Sequence, residues 1–433
     1  MKIQPPPDSG DPDDHPVATS EFSLSRYFPE GTEYFYGYPA ETDSHFFNGV
    51  PPEIEELVAA RPLVCSGPGV KTICFKASLE SFPWEMLEHL GSIHVDKKKD
   101  VLVLPEEINN TVKGPERNRL LKQALVDVSH PGKLVMAQPF LDTRLKSKYA
   151  IPSHRIIWLN DKRNMTSYIP WQYIPKSYDE FLDGQCFDDS ADQIPLPCVI
   201  KVSSSSSGDG VRVCHTEADI AAAKDDFSRL EGIILINELI DVVSNFGVQF
   251  GIPEDPEKPI EIINWHEQLT DANGGFVGGI IDAKRHGSMF KPLNKVILEK
   301  ILPEVRRRGW FGIGGFDILM SKDERFYFVD PNFRMTGMTA YNLLFRSGAI
   351  KSSLLSFMGM FNGTQEEFRA AIESLAKVGN PHQRLHLNTL TEHDGVFRFN
   401  AALLFDDRKD IPALAQEVLK KGITSSVLTG FLQ

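Results

Sequence analysis

The chain has 433 residues, 41% of them hydrophobic and 24% charged, which is enough to bury the core of two or three domains. Its formal net charge of −13 argues against broad nucleic-acid or anionic-membrane binding as the main task, although a local basic cleft can oppose the global sign. No run of about 18 apolar residues offers a membrane span, the start lacks the basic and apolar segments of a secretory leader, and scattered cysteines without CxxC spacing fit reduced thiols in a cytoplasmic protein.

Residues 1–20, rich in Pro, Asp and Ser, are expected to form a loosely attached tail. Aromatic side chains crowd residues 22–48, and so much ring surface demands burial, so folded structure starts there. Residues 61–69 predict a strand running into a Gly/Pro turn, 83–90 a helix, 100–104 a strand, 117–128 a helix and 133–140 a strand. Strands alternating with helices predict an α/β layer. The turn at 66–70, SGPGV, lacks the full GxGxxG pattern and its acid, and reads as a strand-ending turn.

Residues 156–159 predict a further strand, after which Asp161 can cap a helix with Lys162 in its first turn. Residues 177–181 have a capping-box pattern, and 184–192 read as an acidic surface loop. A strand at 196–202 carries Lys201 near its end and runs into a serine-rich tip, Ser203 to Gly210. Such a tip has many N–H and hydroxyl donors and suits wrapping over phosphate oxygens. A Gly/Ser run can equally be a linker, but here strands flank it tightly and a lysine ends the first of them. A helix over 216–230 then leads to a nearly all-apolar strand at 233–240, whose outward turn at Asn237 and Glu238 can offer backbone groups to a flat base.

Strands at 246–250 and 261–265 precede a Gly-rich, lid-like piece at 273–279 and the basic triplet Lys284, Arg285, His286. Apolar residues at helical spacing predict a core-packed helix over 291–308. Residues 316–334, FDILMSKDERFYFVDPNFR, predict a β-hairpin with a charged turn at 321–325. Asp317 lies on its first strand, while Asp330, Asn332 and Arg334 alternate and so share one face of the second. Two carboxylates and an amide oxygen suit Mg²⁺, the plain alternative being a solvated strand end with ordinary Asp-Pro-Asn turn chemistry. Residues 339–433 mix helices at 365–378 and 411–421 with strands near 385 and at 397–405.

In this order, the motifs over roughly residues 156–344 resemble the ATP-grasp superfamily of ligases. NDK at 160–162 and VIKVSSSSSGDGV at 199–211 are similar to the two phosphate-lysine segments and the phosphate-covering loop. LINELI at 235–240 is similar to the interlobe strand, and FDI at 316–318 with FVDPNFR at 328–334 to the metal-bearing strands. The family's usual metal pair is Glu with Glu-x-Asn, whereas both acids here are the shorter Asp.

The resemblance implies an α/β (α+β) ATP-grasp fold. An N-terminal α/β domain (21–155) would be followed by a small lobe (156–240) and by a large lobe with a C-terminal extension (241–433), with ATP between the lobes. It also implies site roles. Lys162 and Lys201 would neutralise phosphates, Ser205, Ser206, Ser207, Gly208 and Gly210 would cover them, and Asn237, Glu238, Leu239 and Ile240 would hold adenine. Asn245 or Ser244 falls where the ribose is held, and Asp317, Asp330 and Asn332 would bind two Mg²⁺, or Mn²⁺ in their place. Arg334 would hold the acyl oxygen or the transferred phosphate, with Arg285 a second candidate for the substrate carboxylate. His266 is within the same reach but reads as a packed residue. The implied reaction activates a small-molecule carboxylate as an acylphosphate and joins it to an amine, giving an amide, ADP and phosphate. Amino-acid or peptide-like substrates fit it, and so does a homodimer. The rival readings are a non-catalytic ATP-binding regulator of the same fold, a biotin-independent carboxylase and a kinase.

Overall fold

A computed structural model describes residues 22–38, 52–93, 95–111, 114–127, 132–190, 194–204, 210–271, 274–284, 289–376 and 384–432. The expected tail at 1–20 lies outside them, as does the end of the aromatic segment beyond Tyr38. Among the described residues no helix is long and apolar enough to cross a membrane.

The first sheet is parallel, with β1 (Tyr34–Gly37), β2 (Val70–Cys74), β3 (Val101–Val103) and β4 (Lys133–Met136) in the order β3-β2-β1-β4. Parallel pairing needs crossovers, and the helices Pro52–Ala60, Ser81–His89 and Pro115–Asp127 supply them. The second sheet is antiparallel, with β5 (Ser177–Phe181), β6 (Cys198–Val202), β7 (Val211–Cys214) and β8 (Ile234–Glu238) in the order β5-β8-β6-β7. The helix Glu217–Phe227 starts with a complete capping box between Thr216 and Asp219 and packs Ile220, Ala223 and Phe227 against this sheet.

The third sheet has eight strands: β9 (Val242–Ile252), β10 (Glu261–Thr270), β11 (Phe276–Ile281), β12 (Gly312–Ser321), β13 (Phe326–Asn332), β14 (Ser353–Asn362), β15 (Leu385–His393) and β16 (Val396–Phe405). Their order is β13-β12-β9-β10-β11-β14-β16-β15. On β9, β12 and β13 the residues Phe246, Val248, Phe250, Phe316, Ile318 and Phe328 point into one core, shared with Leu159, Ile297 and Val305. Side chains alternate along a strand, so the opposite face of these strands receives Asn245, Gly247, Gln249, Gly315 and Asp317. A core on one side therefore sets polar groups and glycines on the other.

Several local expectations differ from the structure. Residues 156–159 are helical, inside Ser153–Asn160, where Ile156 and Leu159 face the core at helical spacing and Asn160 Nδ2 donates to the Ile156 carbonyl. Residues 61–64 form a 3-10 turn, because Pro62 starts it and the Cys65 N–H closes onto the Pro62 carbonyl. The strand in that region is the next one, β2. The capping-box pattern at 177–181 is instead β5, drawn into extended form by antiparallel pairing with β8. Asp183 caps a short helix, Gly184–Asp188, within the stretch read as a loop. The Gly-rich piece expected to be a lid is largely β11, locked between β10 and β14. Gly278 and Gly279 serve that packing, since a Cβ on Gly278 would lie 2.3 Å from the Ser356 carbonyl oxygen and one on Gly279 2.8 Å from Met338 Sδ.

Candidate active site

The hairpin β12–β13 sits at one edge of the large sheet, and its register sets the site. Asp317 lies directly opposite Asp330 on β13 and opposite Gly247 on β9, which in turn faces His266 on β10. Two residues along, Gly315 lies between Asn332 and Gln249. The glycines are required by neighbouring side chains. A Cβ on Gly247 would fall 2.3 Å from His266 Nε2, and one on Gly315 2.5 Å from Gln249 Nε2. The pairing also slips by one residue, from Asp317 with Asp330 to Ile318 with Phe328, so Val329 is an extra residue in β13. Such a bulge leaves a residue out of the ladder. Here the Val329 carbonyl accepts from Lys201 Nζ, which reaches across from β6 at 3.5 Å.

Lys162 arrives from the other direction. Asp161 caps the 3-10 turn Lys162–Ser167 by accepting from the Arg163 N–H, and the Lys162 N–H donates to the Ser203 carbonyl at 3.0 Å. Its ammonium lies 2.9 Å from Asp330 Oδ1. Both lysines are more than nine-tenths buried. Burial, and then the Lys162 charge, lower Lys201 from the ordinary lysine value to about 8, with Asp330 acting in the opposite sense. Burial and then the Asp330 carboxylate push Asp317 up from the usual carboxylate range. Gln268 opposes that shift by donating from Nε2 to Asp317 Oδ1 at 2.6 Å. Two buried cations and two facing carboxylates thus balance in formal charge within the protein.

Arg334 completes the cluster from the segment after β13. Its Nη1 lies 3.4 Å from Asn160 Oδ1, and that oxygen accepts the Phe333 N–H at 2.9 Å. Burial works against the Arg334 charge, but Tyr38, Asp330 and Asp317 outweigh it and raise its pKa. Next along, the Met335 N–H donates to Tyr36 Oη at 2.8 Å, tying this segment to β1.

The structure thus brings together Lys162, Lys201, Asp317, Asp330, Asn332 and Arg334. Ser205, Ser206, Ser207 and Gly208 lie outside the described residues, as does Arg285. Gly210 is described and begins the return strand at φ +74°, its carbonyl accepting the Val202 N–H. At the end of β8, the Glu238 N–H donates to the Lys176 carbonyl and its carboxylate accepts the Lys176 N–H, so both groups are engaged with the segment before β5. Leu239 and Ile240 follow in the connection to β9. Asn237 and Asn245 each hold a buried Oδ1 without a hydrogen bond to a described residue, and Asn245 shares its sheet face with Gly247 and Asp317. Ser244 lies on the other face, opposite Met320. His266 is buried, with Asn342 Nδ2 3.3 Å from its Nδ1. The sequence reading missed Gln268, Asn160 as a partner of Arg334, and Tyr38. Only Gln268 left a signal, since it alternates with His266 along β10.

The donor set fits a hard divalent cation. Directly opposed carboxylates on neighbouring strands repel unless a cation lies between them or one is neutral. Asn332 is buried, and its side chain makes no hydrogen bond to a described residue. Two carboxylates and an amide oxygen are the oxygen donors that Mg²⁺ takes. Asp317, Asp330 and Asn332 would hold it.

Comparison with known proteins follows the same elements. Residues 179–332, from β5 through β13, match the family model described as L-aspartate–L-methionine ligase, ATP grasp. Over those residues the chain is similar to an ATP-grasp domain. Over 158 residues it is 27% identical to the D-alanine–D-alanine ligase of Trichlorobacter lovleyi, a match covering 36% of this chain and 49% of that protein. The chain therefore spans about half the length of this curated relative. A likeness of fold extends over nearly all of the chain. N5-carboxyaminoimidazole synthetase from Staphylococcus aureus superposes with a TM-score of 0.53 at 9% identity, covering 91% of this chain and 99% of that one. Biotin carboxylase from Campylobacter jejuni gives a TM-score of 0.54 at 12% identity, covering 91% and 92%. At these identities the likeness is one of fold.

Proposed function

We propose that this ATP-grasp protein is an ATP-dependent carboxylate–amine ligase. The observation that carries the reading is the convergence of Lys162, Lys201 and Arg334 on the facing pair Asp317 and Asp330, at the edge where the small sheet meets the large one. The names of the matching family model and of the D-alanine–D-alanine ligase point to amino acids as the substrate class.

Lys162 and Lys201 would bind the ATP phosphates as buried charges, worth more there than in water. Lys201, whose charge burial and Lys162 disfavour, would be stabilised as the ammonium by a bound anion. Asp317, Asp330 and Asn332 would hold Mg²⁺, which supplies charge neutralisation to the transferring phosphoryl group. The substrate carboxylate oxygen forms a bond to the γ-phosphorus while the bond to the β–γ bridging oxygen breaks, releasing ADP. The amine then attacks the acyl carbon and expels phosphate, losing a proton as the amide forms. Arg334, with its planar guanidinium fixed by Asn160, would grip the acyl or phosphoryl oxygens of both steps. Asn237 and Asn245, whose buried oxygens have no hydrogen bond to a described residue, would accept hydrogen bonds from the nucleoside.

The test is ADP and phosphate release from purified full-length protein with ATP and Mg²⁺, across pairs of amino acids. Release that requires both partners and yields a dipeptide supports the ligase. Flat release across all pairs would sink it, and release with bicarbonate alone would identify a carboxylase.

A further inference from the structure

A cavity of about 510 Å³ is lined in part by Gly337, three residues beyond Arg334. It is bounded by β11, β14 and β16 and by the start of the helix Thr339–Ser347. Its size falls in the range of small-molecule sites, roughly 300–1,000 Å³. Its walls are largely apolar, with Phe276, Tyr341 and Met358 among them, and Met358 remains 43% exposed. Arg61 enters this lining from the turn Arg61–Val64.

Arg61 is the unusual member. Among the described residues it makes no ion pair and no hydrogen bond, and the groups beside it are the phenols of Tyr38 and Tyr341. Arg61 is half-buried rather than sealed from solvent, so its guanidinium is available to pair with an anion that enters the cavity. Gly337 makes room for Phe276, since a Cβ there would lie 2.9 Å from Phe276 Cε1, and it leaves Arg61 Nη2 at an ordinary contact distance of 3.8 Å. The second arginine of the lining, Arg398, differs because Glu53 lies 3.4 Å away. Tyr38 stands beside both Arg61 and Arg334, so the cavity adjoins the phosphate-facing cluster.

We propose that this cavity binds a small carboxylate with an apolar side chain, its carboxylate held by Arg61 and its side chain set against Phe276, Tyr341 and Met358. The proposal rests on the ligase reading for its place in the reaction, and its binding test is independent of turnover. Arg61 and a carboxylate match as a bidentate pair, and the apolar walls favour a side chain that leaves no buried polar group unpaired.

The experiment titrates L-leucine, L-methionine and L-phenylalanine, and the carboxamide of each, into full-length protein without nucleotide, with affinity read by thermal shift and calorimetry. At least one acid is expected to bind ten-fold or more tightly than its amide. Arg61→Met should abolish that discrimination while the variant keeps a cooperative melt. Met358→Glu, at an exposed position, places an internal carboxylate in the cavity and should weaken the acid by ten-fold or more even if Arg61→Met does not fold. The proposal is overturned if no acid binds, if amides bind as well as acids, or if the folded Arg61→Met protein still discriminates. ATP is titrated separately. Acid binding without ATP binding would remove the ligase reading and leave the cavity assigned, whereas pairwise turnover without acid discrimination would do the reverse.

Discussion

Asp330 carries more of this site than any other side chain, because it faces Asp317 across the hairpin and pairs with Lys162 at 2.9 Å. Asp330→Asn keeps the size and loses the charge. Turnover is expected to fall at least 100-fold, about 2.7 kcal/mol of transition-state stabilisation, while the thermal transition stays cooperative. Wild-type turnover in that variant would refute the assignment. Lys201 predicts a pH effect. Its value of about 8 lies below the ordinary lysine value of 10.5 that holds in the unfolded chain. Between those two pH values the unfolded chain binds the extra proton, so this group adds stability to the nucleotide-free protein as pH rises and withdraws it as pH falls through 8. Nucleotide binding runs the other way. Below pH 8 the ammonium is already charged, whereas above it each ATP must bring a proton with it, so affinity should fall by up to about ten-fold per pH unit. Calorimetry between pH 7 and 10 should show that slope in the wild type and none in Lys201→Arg.

At the scale of elements, β9 works because one of its faces is a core and the other is nearly bare. Gly247 makes space for His266, and Gln268 on the same face of β10 holds Asp317. Gly247→Ala puts a methyl group inside contact distance of the imidazole, and the β-sheet on either side prevents the backbone from yielding. A loss of about 1–3 kcal/mol is expected from overpacking, measured by urea unfolding, and His266→Ala in the same chain should recover part of it. Additive losses in the double variant would show that the contact is not the cause. The helix Glu217–Phe227 has a different dependence. Thr216 and Asp219 satisfy each other's backbone N–H groups at its start, so Thr216→Ala should cost the small sheet about 1 kcal/mol, without touching the strands that carry Asp317 and Asp330.

For the whole molecule, the arrangement of cores predicts unequal stability. Tyr34, Tyr36, Val70 and Cys74 of the first sheet share one cluster with Leu355, Phe397 and Leu403 of the large sheet, and Arg26 and Tyr27 both bond to Glu261. The N-terminal sheet and the large sheet should therefore open together. The small sheet has a cluster of its own, built from residues such as Phe187, Ile200, Ile220 and Ile236. Hydrogen exchange is expected to show β5 to β8 opening at lower free energy than β9 and β12. ATP at 100 times its Kd should raise protection in those strands, by up to about 2.7 kcal/mol. Equal opening energies throughout, or no response to ATP, would contradict this separation of the small sheet's core from the others.

The residue order by itself determined a good deal. Apolar alternation with a charged turn marks β12 and β13, a lysine ending an apolar strand before a serine run marks β6, and the capping box marks the helix after β7. These are local patterns, and backbone periodicity and capping chemistry act locally. Asp317, Asp330, Lys162 and Lys201 were legible for that reason. What stood opposite what was decided only in three dimensions. Residues 156–159 are apolar enough for a strand or a helix, and the core beneath β13 selects the helix; residues 177–181 are polar enough for a cap, and pairing with β8 selects the strand. Gln268 beneath Asp317, Asn160 beneath Arg334 and Tyr36 beneath Met335 are contacts across 49, 174 and 299 positions. Long-range register brings them together, and the same register leaves Arg61 in a cavity without a carboxylate.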